Sequence, residues 1–325
     1  MTQSPPPSAW RHRLLPWRHP SWRWAAPAPA LAVVLYYLIG GWIVSVIDAD
    51  PEFGPGAVTA RQSRAVAVAA ALIHREVDVH HWVANDPFFQ PGWVLDDMPA
   101  YQQGIIAAIR RFTTGLVERQ GDSGVGADGE LAGAAGLLKY PATVWKFDLS
   151  TSLMPTASTE KQYRRAGRSL DSYNQHIEQG SLAFDRRPEA VAAAIADIGR
   201  DLAGQADLIA AHLAENHWAP IGGRTDALFY STKGKLYAYS LLLREFGWDY
   251  AQAIGDRGAG AAWRHMLETI RTAAGMQPLI VVNGAADNAL LASHLAAQGF
   301  HLLRARQELA DLAAVLARPV PAAGG

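Results

Sequence analysis

From Ala25 to Ile47 the chain carries no charged side chain, and its core, Ala30 to Ile47, is long enough as a helix to cross most of a hydrocarbon layer about 30 Å thick. Beyond it the pattern changes from continuous to periodic. Val66, Ala70, Ile73, Val77 and Ala84 recur at steps of three, four and seven, which predicts a helix from about Val58 to Val83. A second stripe, Tyr101, Ile105, Ile109, Phe112 and Leu116, follows Asp97 and Pro99, ordinary helix-opening residues.

The same reading extends to the C terminus. Glycines at 121, 124, 126 and 129 break the chain before a short helix near Leu131 to Tyr140, and Val144 to Leu149 is expected to be extended. Thr159 and Gln162 form a capping box for a helix ending at Gly180. Pro188 opens the longest stripe, Val191 through Leu213, and these two helices are expected to pack as an antiparallel pair. Asp226 is the expected N-cap of a helix closed by Gly247, and three more helices follow, about Ala259–Ala274, Asn288–Gln298 and Leu302–Ala317. Leu279 to Val282 is strand-like but has no partner. The fold expected is therefore all-α: one transmembrane helix (25–47), a Pro/Gly hinge (48–57) and a helical domain (58–318), with room for a subdivision near 218–223 and a short tail (319–325).

Charge adds an orientation. Residues 1–47 hold four arginines (Arg11, Arg13, Arg18, Arg23) and no carboxylate, leaving 25 of the 29 basic residues against all 30 acidic ones in the rest. Asp48, Asp50 and Glu52 follow the apolar run at once, so the positive-inside rule puts residues 1–24 in the cytoplasm and the body outside. A cleaved signal peptide is the competing reading. The apolar run exceeds a usual h-region, and SVIDAD offers no small-x-small cleavage site. The mildly acidic body argues against nucleic-acid binding, and the absence of cysteine excludes disulfides and thiolate-bound metals.

Several blocks, NDPFFQPGWVLDDMPAYQQG (Asn85 to Gly104), YRRAGRSLDSYN (Tyr163 to Asn174), AFDRRP (Ala183 to Pro188), LFYSTKGKLYAY (Leu228 to Tyr239) and VVNGAADN followed by GFHLLRAR, together resemble a bacterial membrane-protein family catalogued as domain of unknown function 2333. The resemblance implies a single-pass inner-membrane protein of a Gram-negative bacterium. It carries over no catalytic residue.

Candidate chemistry lies mainly between residues 74 and 97. His74, Asp78 and His81 stand at i, i+4 and i+7, within about 60° on an ideal helix, and two histidines with a carboxylate suit zinc or iron; His80 falls nearer the apolar stripe. Asp86, Asp96 and Asp97 offer carboxylates for acid/base work beside Phe88, Phe89 and Trp93. Those aromatics line a partner or ligand groove or, as the commoner outcome, plug the junction of two helices. Arg164, Arg165, Arg168, Arg186 and Arg187 form a candidate anion site, with Asp171, Asp185 and Glu189 as internal partners. The segment GDSGVGADGE lacks the strand and the Lys-Ser/Thr of a phosphate loop, and Asp122, Asp128 and Glu130 miss the calcium-loop spacing. No cofactor is implied. The reading is a membrane-anchored scaffold or interaction protein with an envelope partner; the alternative is a periplasmic hydrolase or metal-dependent enzyme built on the 85–97 loop with His74, Asp78 and His81.

Overall fold

The computed structural model describes residues 27–122, 128–147, 156–215, 223–276 and 294–318. Among these are ten α-helices and no strand: α1 (Pro27–Val44), α2 (Arg64–His74), α3 (Asp97–Asp122), α4 (Gly129–Leu137), α5 (Thr159–Glu178), α6 (Pro188–Glu215), α7 (Gly223–Asp249), α8 (Ala251–Asp256), α9 (Gly260–Ala274) and α10 (His294–Leu316). The strand-like run at 279–282 and the 218–222 part of the expected subdivision lie outside the described residues.

Among the described residues the apolar helix α1 takes in 27–44 of the uncharged run and ends three residues before its close at Ile47. It stands outside the core, with Leu31, Val34, Leu38, Ile39, Trp42 and Ile43 exposed. All the other helices contribute to one hydrophobic core running from Ala65 to Leu316.

The long helix α7 is central to that core, buried along much of its length. It runs parallel to α3, with Gly104 against Ser231 and Lys235 and with Phe112 against Phe246 at a ring distance of 5.4 Å. It runs antiparallel to α2, whose N-terminus is capped from α7: the Asp249 carboxylate accepts from Ser63 Oγ (2.7 Å), Arg64 N (2.9 Å) and Ala65 N (3.1 Å). These bonds satisfy donors that no helical carbonyl reaches. Burial nevertheless pushes the Asp249 pKa up, outweighing the hydrogen bonds.

Several sequence expectations change. The helix predicted from Val58 starts only at Arg64, capped by Ser63, and its last turn widens into a π-helical turn, Arg75–Val79. The N-cap of α5 is Ser158 rather than Thr159, whose hydroxyl instead donates to Pro141 O at 2.8 Å. Gly180 does take the left-handed conformation expected of it (φ 77°). Helices α5 and α6 are not a packed pair. The α6 stripe lies against α10, antiparallel, with Gly199 facing Leu309 and Gly299 facing Ile209, because the buried face of α5 is already taken by α2 and α4. Asp226 lies inside the first turn of α7, and Gly247 continues that helix instead of closing it. Of the two C-terminal helices expected apart, residues 288–293 lie outside the described residues, and the remainder belongs to one continuous α10.

The segment expected as a hinge is strapped to the body. Tyr101 Oη donates to Asp48 O (2.8 Å), Tyr237 Oη to Asp50 O (2.8 Å) and Arg244 Nη1 to Pro51 O (2.6 Å). Arg75, almost fully buried, joins this strap to the core: it pairs with Glu76 at 2.9 Å and Asp48 at 3.4 Å, donates to Tyr237 Oη at 2.8 Å and stacks on Phe53 at 4.5 Å. The path from α1 to the body is short and held on several sides.

Candidate functional site

The loop between α2 and α3 is entered through an unusual backbone. After the π-helical turn, His81 adopts a left-handed conformation (φ 64°), strained for a non-glycine residue. Gln102 fixes it, accepting from Val83 N (3.1 Å) and donating to His81 O (2.8 Å). Asn85 ties the same stretch to α5 and the segment before it, donating to Val144 O (3.0 Å) and Glu160 (2.9 Å).

This backbone separates the histidine–carboxylate trio. His74 lies 3.9 Å from Asp78, but Asp78 is held by Arg164 at 2.6 Å, and His81 turns away to Asp86 at 3.2 Å. The helical spacing of i, i+4 and i+7 assumed an α-helix; the π turn and the left-handed residue remove it. Among the described residues no three of His, Cys, Asp or Glu gather where one metal ion would be held.

His81 and Asp86 make a pair of their own. The Asp86 side chain is buried, and Gly92 leaves it room, since a Cβ there would fall 2.2 Å from Asp86 Oδ2. The hydrogen bond to the Asp86 carboxylate raises the His81 pKa, favouring the imidazolium.

Asp96 and Asp97 are joined by Asp226. The N-terminal ends of the parallel helices α3 and α7 come together, so their first-turn carboxylates share one surface; a Cβ on Gly223 would meet Asp96 Oδ2 at 3.5 Å. Desolvation first, then Asp226 and Asp96, pushes the Asp97 pKa up, and desolvation followed by Asp96 does the same for Asp226. No local spacing reveals Asp226 as a member, because it lies more than a hundred positions away.

Phe88, Phe89 and Trp93 do not fill a helix junction. Phe88 is 69% and Trp93 60% exposed. The junction is closed instead by Trp82, fully buried against Tyr163 with its Nε1 donating to Ala142 O at 2.9 Å. Phe88 and Phe89 begin a chain of edge-to-face rings that continues to half-buried Trp145 and exposed Phe147 at spacings of 5.4, 5.5 and 5.4 Å. The last two escaped the sequence reading, although Trp145-Lys146-Phe147 is a visible aromatic pair about a cation.

The arginine cluster disperses. Arg164 pairs with Asp78, Arg187 with Asp185 at 2.6 Å, and Arg186 donates to the carbonyls of Ala60, Arg61 and Gln62, while Arg165 and Arg168 are simply exposed. The Arg187 hydrogen bond holds the Asp185 pKa below the usual carboxylate range. Asp185 thus fills the expected internal role, whereas Glu189 faces Arg257 at 3.8 Å. A different set of cations does converge: Arg110, Lys139 and Lys235 line an open groove of about 350 Å³ with Gln103, Gln205 and Tyr163 and no carboxylate in its wall. Lys235 is already paired with Asp201 at 3.0 Å. Being drawn from α3, α7 and the turn after α4, these residues form no sequence motif.

Against known families, one model matches part of the chain. Residues 45–186 match the DUF2333 family model, described as an uncharacterized protein conserved in bacteria. The DUF2333 match takes in the strap, the aromatic loop, the acidic α3 start and the whole of α5, and it bears out the resemblance carried by the Asn85–Gly104 and Tyr163–Asn174 blocks. The Leu228–Tyr239 block lies beyond it. No curated protein and no solved structure matches the chain.

Proposed function

We propose that this chain is a single-pass envelope protein of the bacterial inner membrane, with its N terminus in the cytoplasm, whose helical body in the periplasm works by binding an envelope partner rather than by catalysis. One observation carries the reading: an exposed apolar helix followed directly by a carboxylate-rich strap that is bonded at several points to the body. A body seated in this way is presented to the periplasm at a fixed attitude, which serves binding. The groove of Arg110, Lys139 and Lys235 gives the partner its chemistry, an acidic segment, because two of its three cations have no carboxylate beside them and anion recognition there displaces no internal pair.

A reporter enzyme that is active only outside the cytoplasm, fused after Gly325, should be active; activity of a cytoplasmic reporter at that place would refute the orientation. In intact cells, Arg110→Glu with Lys139→Glu should abolish crosslinking of the full chain to its partner while membrane level and melting stay unchanged. Undiminished crosslinking would refute the groove.

A second reading rests on His81, whose strained backbone and buried aspartate partner are features of a general acid/base pair. It requires that His81→Gln abolish the cellular function without reducing partner crosslinking. Retained function in that variant removes it.

A further inference from the structure

We propose that the loop from Phe88 to Val94, together with Trp145 and Phe147, is inserted in the bilayer leaflet at the C-terminal end of α1, giving the body a second membrane attachment beside its anchor. The inference rests on the reading of α1 as a spanning helix and adds to it where the body sits.

The first argument is depth. The described eighteen residues of α1 are about 27 Å long, against a hydrocarbon core of about 30 Å, so a span needs all of them. Arg23 limits any shift of the span in one direction and Asp48 in the other. The loop does not meet α1 at its outer end. Tyr36 Oη donates to Phe89 O at 3.1 Å, Tyr37 Oη to Phe88 O, and Gly40 and Gly41 lie against Pro91. Tyr36 is eight residues before Val44, about 12 Å along the axis, within the roughly 15 Å half-thickness of the core.

The second argument is backbone satisfaction. Irregular backbone at membrane depth must find its hydrogen bonds inside the protein. Here two tyrosine hydroxyls from α1 cover two loop carbonyls, and Asp86 N, Gln90 N, Trp93 N and Leu95 N all donate to carbonyls of the loop itself or of Val83 just before it. Pro87 and Pro91 have no N–H to satisfy. Two tyrosines in an otherwise apolar helix thereby gain a reason.

The third is the surface. Phe88, Phe89, Trp93, Val94 and Phe147 are all at least 42% exposed. Lys146 lies 5.7 Å from the ring centres of both Trp145 and Phe147. Aromatic rings with a long cation at their margin are suited to the boundary between acyl chains and phosphates.

The absence of cysteine makes a direct test simple. Full-length protein carrying Phe88→Cys, Trp93→Cys, Val34→Cys or Leu208→Cys, each labelled with an environment-sensitive fluorophore, is reconstituted in vesicles of phosphatidylethanolamine and phosphatidylglycerol. Quenching by spin-labelled acyl chains is compared with quenching by aqueous iodide. The labels at 34, 88 and 93 should lose most of their emission to the lipid quencher, and the label at 208, on the exposed face of α6, only to iodide. A lipid-quenched 34 with iodide-quenched 88 and 93 would overturn the insertion and leave the anchor standing. An iodide-quenched 34 would overturn the anchor itself. Labels at 88 and 93 reached by neither quencher would mean that a second copy covers the loop, which also overturns the proposal.

Discussion

Gly104 and Gly234 let α3 and α7 touch backbone to backbone: a Cβ on Gly104 would lie 2.0 Å from Ser231 O, and one on Gly234 would lie 2.0 Å from Tyr101 O. Main chain cannot yield as a side-chain tip does. Gly104→Ala and Gly234→Ala should each destabilise the body by about 1–3 kcal/mol, the usual cost of overpacking. Gly133→Ala, at an exposed position with nothing near its Cβ, should stabilise by about 0.5–1 kcal/mol through helix propensity alone. Denaturant titrations in detergent would compare all three; a stabilising alanine at 104 or 234 contradicts the crossing.

The acidic end formed by Asp96, Asp97 and Asp226 sets a pH dependence. Because the folded pKa values of Asp97 and Asp226 are raised, their contribution to stability is complete when they are protonated and is lost as pH rises through those values. At neutral pH they oppose folding. Asp97→Asn should therefore raise Tm at pH ~7, with the gain vanishing as pH falls below the unfolded aspartate pKa of about 3.9. An equal gain at both pH values would show that charge is not the cause.

What the chain's pattern made legible, and what it hid, follows from the range of the interactions. The apolar span, the openings of α3 and α6 and the left-handed Gly180 are local matters, set by a run of side chains or by one residue's backbone freedom. The partner of α6 is not local: its stripe fits any apolar face of similar length, and only the prior occupation of α5 by α2 and α4 directs it to α10. The metal trio failed for a related reason. Its spacing was correct for an α-helix, but Gln102 on the next helix holds the His81 backbone in another conformation. Asp226, Trp145 and the groove cations are neighbours only in three dimensions.

Arg75 should be costly to lose. With Arg75→Met the fully buried Glu76 keeps its ionic environment only through Gln102 and His80, at 3.4 and 3.5 Å, and the strap loses its link to Tyr237. Leaving a buried carboxylate short of its cation typically costs about 3–5 kcal/mol. Arg75→Lys should recover only part of this, since one ammonium cannot replace a fork that reaches Glu76, Asp48 and Tyr237 together. Full recovery with lysine, read from denaturation midpoints, would reduce the network to a single ion pair.

The exposed rings predict the opposite behaviour. Phe88→Ala and Trp93→Ala should each leave stability within about 1 kcal/mol, well short of the 3–5 kcal/mol lost when a packed aromatic site is emptied. Trp82→Ala should show the large loss, since Trp82 is fully buried. Thermal melts of the three variants in detergent would separate the two roles, and a loss at Phe88 as large as that at Trp82 would restore the packing reading.

The central claim is that anchor and body are one seated unit, and a disulfide tests it most directly. A Cβ on Gly41 would lie 3.9 Å from Leu95 Cδ2, so cysteines at the two positions face each other across the contact of α1 with the body. In the cysteine-free chain, Gly41→Cys with Leu95→Cys should form an intramolecular bond in native membranes under mild oxidation, whereas Gly41→Cys with Leu208→Cys should not. The account predicts a reducible mobility shift for the first pair alone; no shift for that pair, with the protein folded and in the membrane, would mean that α1 is a tether on which the body swings free.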